Sequence, residues 1–373
     1  MIYFDNAATT KINDEVLNSF NIATKQFFAN SSSTHKEGML ASQIEKKARE
    51  QAASFFNASE EEIIFTSGAS ESNNLAIKGV AFRYQNRGKH IITTAIEHLS
   101  VINTCKQLEE LYGFEVTYLL PDENGVISCD KVISAIKDNT ILVSIMAVNN
   151  ETGAIQPISE IASSIKKYPK IYFHSDATQA IGKIDIDYSD VDLISLSGHK
   201  INSFKSSGIL IKRKSVDLIP QINGGGHQYN MRSGTTNVPG EIALAKALRI
   251  AFDKQYERYK YVKNLNLYLV NKLNEVPGVI LNSNEKCSPY IISFSCSKKG
   301  SVVAEALSNR EIYVSTKSAC SSKKNSDSYV LRAMDKSDWI SANSLRISFS
   351  YENTLEEIDV FIKELKNIIN SIK

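Results

Sequence analysis

Nowhere in its 373 residues does the chain run together the roughly 18 apolar residues that a membrane-spanning helix needs. Its start, MIYFDNAATTKINDE, lacks the basic lead-in and apolar core of a secretory leader and any lipidation signal, so a soluble, cytoplasmic protein is expected. Neither charge dominates. Lys plus Arg number 43 against 41 Asp plus Glu, leaving no footprint for a nucleic-acid backbone beyond the short runs Lys212-Arg213-Lys214 and Lys323-Lys324. The five cysteines (Cys105, Cys129, Cys287, Cys296 and Cys320) are odd in number, widely spaced and without a CxxC pair, which argues against a disulfide framework or a zinc site. Four of them read as small buried hydrophobes, which leaves one kept for its reactivity. The phosphate loops GxxxxGK[ST] and GxGxxG are also missing, so nucleotide binding is disfavoured, and no internal repeat is visible.

What is present is alternation. From about residue 60 to 215, the short apolar runs EIIFTS, HIITTA, EVTYLL, ILVSIMAV, IYFHSD, DLISLS and GILIKR alternate with helical patterns, notably those from Glu71 and His98. This predicts an α/β fold whose mostly parallel sheet is covered on both faces and binds its ligand beyond the carboxyl ends of the strands. The length exceeds what one core usually supports, so a large domain (1–255) and a smaller C-terminal α+β domain (256–373) are expected, the N-terminal segment packing on the small one. A helix-compatible stretch free of proline, Glu241 to Val276, bridges them. In the last helix Leu355, Ile358, Ile362, Leu365, Ile369 and Ile372 form an apolar stripe for the small domain. The Ser-, Lys- and Asn-rich stretch from Ser318 to Ser328 reads as an exposed, mobile loop.

Four strand ends carry chemistry. In SLSGHK, Lys200 can form a Schiff base with an aldehyde cofactor, although most lysines are merely solvated. In FTSGASES, the backbone N–H groups of a helix start, with the hydroxyls of Ser67 and Ser70, suit a phosphate; a plain N-cap explains the motif as well. In HSDATQA, Asp176 can pair with a protonated pyridine nitrogen and Gln179 can bond a ring hydroxyl; alone, Asp176 reads as a helix cap. In IEHLS, His98 can lie on an aromatic ring, or simply be structural. Each signal is modest, but together they ask for one ligand, pyridoxal 5'-phosphate.

At this point the sequence resembles the cysteine desulfurases of the class V aminotransferase family. The resemblance rests on YFDNAATT (3–10), SSSTHKEG (31–38), IIFTSGASESNNLAI (63–77), Glu97-His98, VSIMAVNNETGAIQPI (143–158), FHSDATQAIGK (173–183), SLSGHK (195–200), GGGHQYNMRSGTTNV (224–238), SAC (318–320) and LRISFSYENTLEEID (345–359), in order along nearly the whole chain. It implies the fold type I of pyridoxal-phosphate enzymes, with a seven-stranded sheet, and a homodimer. By the resemblance Lys200 carries the cofactor, Asp176 and Gln179 hold its ring and His98 stacks on it. Ala69, Ser70, Ser197 and His199 contact the phosphate side, and Thr235 reaches in from the second subunit. Asn150 and Arg346 position the substrate, Arg346 as a guanidinium fork for its carboxylate. Lys200, His98 and Cys320 are the catalytic residues. Cys320, as thiolate, takes the sulfur of L-cysteine and leaves alanine, and the sulfur passes on to an acceptor protein of iron-sulfur cluster assembly or tRNA thiolation. Lys317, Lys323 and Lys324 could lower the pKa of Cys320 or only keep the loop soluble.

The chain departs from the family pattern in three places. INSFKSSG follows Lys200 where Gly-Pro-Lys-Gly is usual, so the turn there is expected to be shaped differently. GGGHQ stands for GGGQE, so His227 and Gln228 are expected to alter a segment near the entrance of the site. Lys317 stands where a glycine commonly precedes Ser-Ala-Cys. Two alternatives follow: a selenocysteine or other C–S lyase, against which Cys320 argues, and a partner-dependent paralogue of weak activity.

Overall fold

A computed structural model describes residues 1–316 and 327–371. The chain opens with strand β1 (Ile2–Tyr3) and helices α1 (Asp14–Gln26) and α2 (Lys36–Ser54). There follow β2 (Ile63–Thr66), α3 (Ala69–Tyr84), β3 (His90–Thr94), α4 (Leu99–Tyr112), β4 (Glu115–Leu119), α5 (Cys129–Ser134), β5 (Thr140–Ser144), α6 (Ile158–Ile165), β6 (Tyr172–Asp176), β7 (Leu193–Ser197) and β8 (Gly208–Lys212). Strands β2 to β8 make one seven-stranded sheet in the order β2-β8-β7-β6-β5-β3-β4. Every residue of β3, β5 and β7 is buried, as a sheet covered on both faces requires, which is why these strands read as unbroken runs rather than as alternation.

All neighbouring pairs are parallel except those of β8, which runs against both β2 and β7. That reversal brings the start of β8 to the end of the sheet where the other strands finish. Thr66, Gly208 and Ser197 lie side by side there, because Gly208 registers with both neighbours. The register tolerates only glycine at 208, since a Cβ there would fall 2.5 Å from the Cα of Gly68.

The proline-free stretch expected to bridge two domains is two helices, α7 (Val238–Asp253) and α8 (Gln255–Asn274), separated at Lys254, whose backbone leaves helical geometry. Beyond them come β9 (Ile280–Leu281), β10 (Ile291–Ser295), α9 (Gly300–Ser308), β11 (Ile312–Tyr313), α10 (Tyr329–Ala333), α11 (Asp338–Ala342), β12 (Ser344–Ser348) and α12 (Leu355–Ser371). Strand β10 pairs antiparallel with β9 and β12. Helix α12 buries Ile358, Phe361, Ile362, Leu365 and Ile368, so the apolar face is rotated from the one expected: Leu355 is exposed, Phe361 and Ile368 are gained, and Ile372 lies outside the described residues.

The first residues of the chain belong with the last elements. Strand β1 pairs in parallel with β11, and the following residue, Phe4, is fully buried with its ring edge-on to Phe349 and Phe361 at 5.4 and 5.9 Å. Truncating such a ring typically costs about 3–5 kcal/mol, so the segment that follows, Asp5 to Thr10, is held from below. Of the cysteines, Cys105, Cys129 and Cys296 are buried, Cys287 is half-buried, and all four are free thiols. Among the described residues no helix is long and apolar enough to cross a membrane, and no group of His, Cys, Asp and Glu could hold a metal.

Candidate active site

One cavity lies beyond the carboxyl ends of β2, β3, β6 and β7 and is closed from the other side by β12 and the segment after β1. Ala69 and Ser70 reach it from the first turn of α3, and His98 from the start of α4. Asp176 and Gln179 come from the end of β6, and Ser197, His199 and Lys200 from the end of β7. Asn150 and Arg346 complete it from the loop after β5 and from β12. Thr235 instead lines a neighbouring cavity, which shares Ser67 and Ser206 with the first. Cys320 and Lys317, Lys323 and Lys324 lie outside the described residues.

The end of the cavity at α3 is built of backbone and neutral groups. Gly68 is the N-cap of α3, with φ of 149°, and no side chain caps the helix, so neither serine takes the capping role. The first-turn N–H groups and the positive end of the helix dipole therefore face the cavity. Glu71, which also lines it, is drawn aside: its Oε1 accepts from Arg232 Nε at 2.9 Å and its Oε2 from the Ser67 N–H at 2.8 Å. Burial, and after it the cations of Lys200, Lys183 and Lys205, lower the His199 imidazole to about 4, so it is neutral at neutral pH. Its Nδ1 lies 3.1 Å from Thr9 Oγ1.

The opposite end is charged, buried and mostly paired. Asp176 accepts from the Thr178 N–H on Oδ1 (3.0 Å) and from Asn73 Nδ2 on Oδ2 (2.8 Å). It does cap the backbone after β6, and it still lines the cavity. Asn73, fully buried on α3, gives its second N–H to Ser100 Oγ at 2.9 Å, and Ser100 Oγ is 2.8 Å from His98 Nδ1. Because the Ser100 N–H also donates to Nδ1 (3.1 Å), that nitrogen is an acceptor and neutral His98 carries its proton on Nε2. His98 thus caps α4 and lines the cavity at once.

Lys200 Nζ donates to the carbonyls of Ala7 and Ala8 at 2.6 and 2.5 Å, and Gln179 Nε2 donates to Ala7 as well, at 3.0 Å. Arg346 is only 3% exposed although β12 is an edge strand; its guanidinium donates to Asn150 O and to Asp5 Oδ1, each at 2.7 Å. Its Nε and the Oδ1 of Asn150 are both buried and have no partner. Each such orphaned group costs about 1–3 kcal/mol, a debt that a bound amino acid can settle. The site therefore fits pyridoxal phosphate, with a dipolar, uncapped anion cradle at one end and a fixed carboxylate for a ring nitrogen at the other, and a lysine within the same cavity.

Several residues here escaped the sequence reading. Ala7, Ala8 and Thr9 act through backbone or hydroxyl groups within YFDNAATT, a stretch noticed only for its likeness. Lys205 and Ser206 line the cavity because β8 runs backwards, so the departure after Lys200 supplies two wall residues, with Asn202 and Ser206 at φ of 63° and 57° shaping the turn. Gln228 does not sit at the entrance. It is buried, with Oε1 accepting from Arg49 Nη1 (2.9 Å) and the Phe65 N–H (3.0 Å) and Nε2 donating to Glu241 (2.8 Å). An amide can serve both sides of that contact, donating to one group and accepting from two others.

A family model described as Aminotransferase class-V matches residues 2–361. A protein of Lactobacillus delbrueckii subsp. bulgaricus described as a NifS/IcsS protein homolog is 41% identical, over 99% of this chain and 97% of its own length. The cysteine desulfurase IscS of Methanosarcina thermophila is 40% identical, over 100% of this chain and 93% of that protein. Among solved structures, a NifS-like protein superposes with a TM-score of 0.93 at 38% identity over the full length of both chains, and SspA in complex with cysteine with 0.84 at 36%, covering 95% of this chain and all of that one.

Proposed function

The chain belongs to the class V aminotransferase family, and we propose that it is a cysteine desulfurase that uses pyridoxal 5'-phosphate to convert L-cysteine to L-alanine and carries the released sulfur on Cys320. The observation that carries this reading is the convergence of Lys200, Asp176, Asn150 and Arg346 on one cavity, with Arg346 Nε and Asn150 Oδ1 each buried and unpartnered.

When bound, the cofactor supplies an electron sink that lets an amino acid lose its α proton. The cradle at Ala69 and Ser70, with Ser197 and His199, would hold its phosphate, Asp176 and Gln179 its ring, and His98 the ring face. Neutral His199 can accept or donate without adding charge. Arg346 holds the substrate carboxylate, and because Asp5 and Asn150 O already fix the guanidinium, little side-chain entropy is lost on binding. Lys200 Nζ, held by two carbonyls, is the group that takes up and returns the proton of the substrate carbon. Cys320, as thiolate, attacks the substrate sulfur: a sulfur–sulfur bond forms and the carbon–sulfur bond breaks. The substrate sulfur is thereby oxidised to the sulfane level, and the carbon it leaves is reduced and takes a proton to become the methyl group of alanine.

The persulfide would then pass to an acceptor protein of iron-sulfur cluster assembly or RNA thiolation. Two copies of the chain would act together, the partner presenting the segment around Thr235 to the phosphate end. The same reading divides the chain into 1–255 and 256–373, a division supported by the break at Lys254.

The test is to incubate the holoprotein with L-cysteine and a thiol reductant and to measure alanine and sulfide. Alanine formed by the parent and lost in both Lys200→Ala and Cys320→Ala is the expected result. Alanine from Cys320→Ala at the parent's rate assigns a C–S lyase instead.

A further inference from the structure

Three residues beyond the end of β6, one hydrogen bond decides what Gln179 can offer the cavity. Its Oε1 accepts from Lys183 Nζ at 3.2 Å while its Nε2 donates to Ala7 O at 3.0 Å. A carbonyl can only accept and an ammonium can only donate, so turning the amide over would oppose like groups at both contacts. With Oε1 turned to Lys183 and one N–H of Nε2 given to Ala7, the second N–H on Nε2 is the donor the side chain has left for a ligand. We propose that Lys183 is a positioning residue that holds the Gln179 amide in the orientation that turns its second N–H toward the ring oxygen of pyridoxal phosphate.

The inference rests on the desulfurase reading above and deepens it. Lys183 is half-buried as a residue, but its ammonium end sits in a crowded interior, facing Gln179, Lys200 and Arg346, with the Tyr290 ring 5.9 Å away. No carboxylate stands among these neighbours. Burial first, and then the Lys200 and Arg346 cations, lower Lys183 to about 7. A lysine buried at that cost, where a methionine would fill the space without it, points to a task for its N–H groups. Below about pH 7 the lock is closed from both sides; above it the neutral amine can accept as well as donate, and only the Ala7 carbonyl still sets the amide.

Lys183→Met and Lys183→Arg test this in the full-length holoprotein. Absorbance titration of the stripped protein with pyridoxal phosphate gives the Kd, and the visible band followed against pH gives its midpoint. Lys183→Met is expected to raise Kd about tenfold, one hydrogen bond's worth. It should also move the midpoint up, because both a nearby cation and a fixed donor are lost, while the thermal midpoint of the stripped protein does not fall. Lys183→Arg, which keeps a one-way donor, retains the parent's midpoint. In a Gln179→Ala background, adding Lys183→Met changes Kd by less than about twofold, since the two act as one unit. A full tenfold loss in that background, a midpoint shift in Lys183→Arg as large as in Lys183→Met, or a Lys183→Met indistinguishable from an active parent overturns the inference and leaves the desulfurase reading standing. A parent that neither binds the cofactor nor yields alanine overturns both.

Discussion

The two ends of the cavity solve the same problem, an anionic ligand, with different materials. At α3 the cradle is made of backbone N–H groups, two hydroxyls and a neutral imidazole, with the Glu71 carboxylate drawn aside to Arg232. At β12 and beyond the ends of β6 and β7 the groups are Arg346, Asp176, Lys183 and Lys200, each tied to a partner before any ligand arrives. Dipoles in a helix turn are held by the fold itself and lose little when one side chain is trimmed. Of these charges Arg346 is held by another charge, so removing it strands Asp5 as well as the Asn150 carbonyl.

That contrast can be broken most forcefully at Arg346. Arg346→Ala leaves Asp5 and Asn150 O without their donor and takes away the carboxylate fork, so kcat/KM for L-cysteine is expected to fall about 10²–10³-fold, as loss of two charge-assisted bonds implies. Steady-state kinetics reads this, and a change below tenfold means the carboxylate is gripped elsewhere. Next is Gly208→Ala at the dipolar end. With Cβ 2.5 Å from Gly68 Cα it forces β8 away from the start of α3, at a cost of about 1–3 kcal/mol in denaturant unfolding, with weaker cofactor retention. Retention unchanged in a folded Gly208→Ala shows that the cradle does not depend on that backbone contact.

Ser70→Ala at the same end is a milder probe. The N–H groups remain, so a Kd for pyridoxal phosphate only about three- to tenfold higher is expected, one ordinary hydrogen bond; a hundredfold loss makes the hydroxyl, not the helix end, the cradle. The smallest expected effect is on pH dependence. The His199 pKa is lowered on folding, so its contribution to stability is present above its ordinary value near 6.5 and is lost as the pH falls through about 4. Thermal midpoints of the stripped protein between pH 7 and 4 should therefore fall less in His199→Gln than in the parent, and equal slopes would place the imidazole in water.

The strand ends were legible because a buried parallel sheet writes its strands as apolar runs, and whatever follows a run sits at the ligand end. Lys200, Asp176, His98 and the start of α3 were found that way. Lys205 and Ser206 were not, because the direction of β8 is set by pairing with β2 and β7 and leaves no local mark. Ala7 and Ala8 were missed for a different reason: they contribute carbonyls, which every residue has, and only the tertiary path of the first ten residues brings them to Lys200. The break at Lys254 is equally silent, since no proline or glycine marks it. Arg346 needed the resemblance, because an arginine on an edge strand reads as a surface residue until the other wall of the cavity is known.

The pairing of β1 with β11, and of Asp5 with Arg346, joins positions more than 300 residues apart. The floor under Lys200 therefore does not exist until nearly the whole chain has left the ribosome, about 20–75 s after synthesis begins at roughly 5–20 residues per second. Through that interval the strands of the large sheet can assemble, but the lysine lacks its two carbonyls and the arginine its counterion. A nascent or truncated chain cannot hold its cofactor reagents in working order, and the reactive centre comes into being only as translation ends.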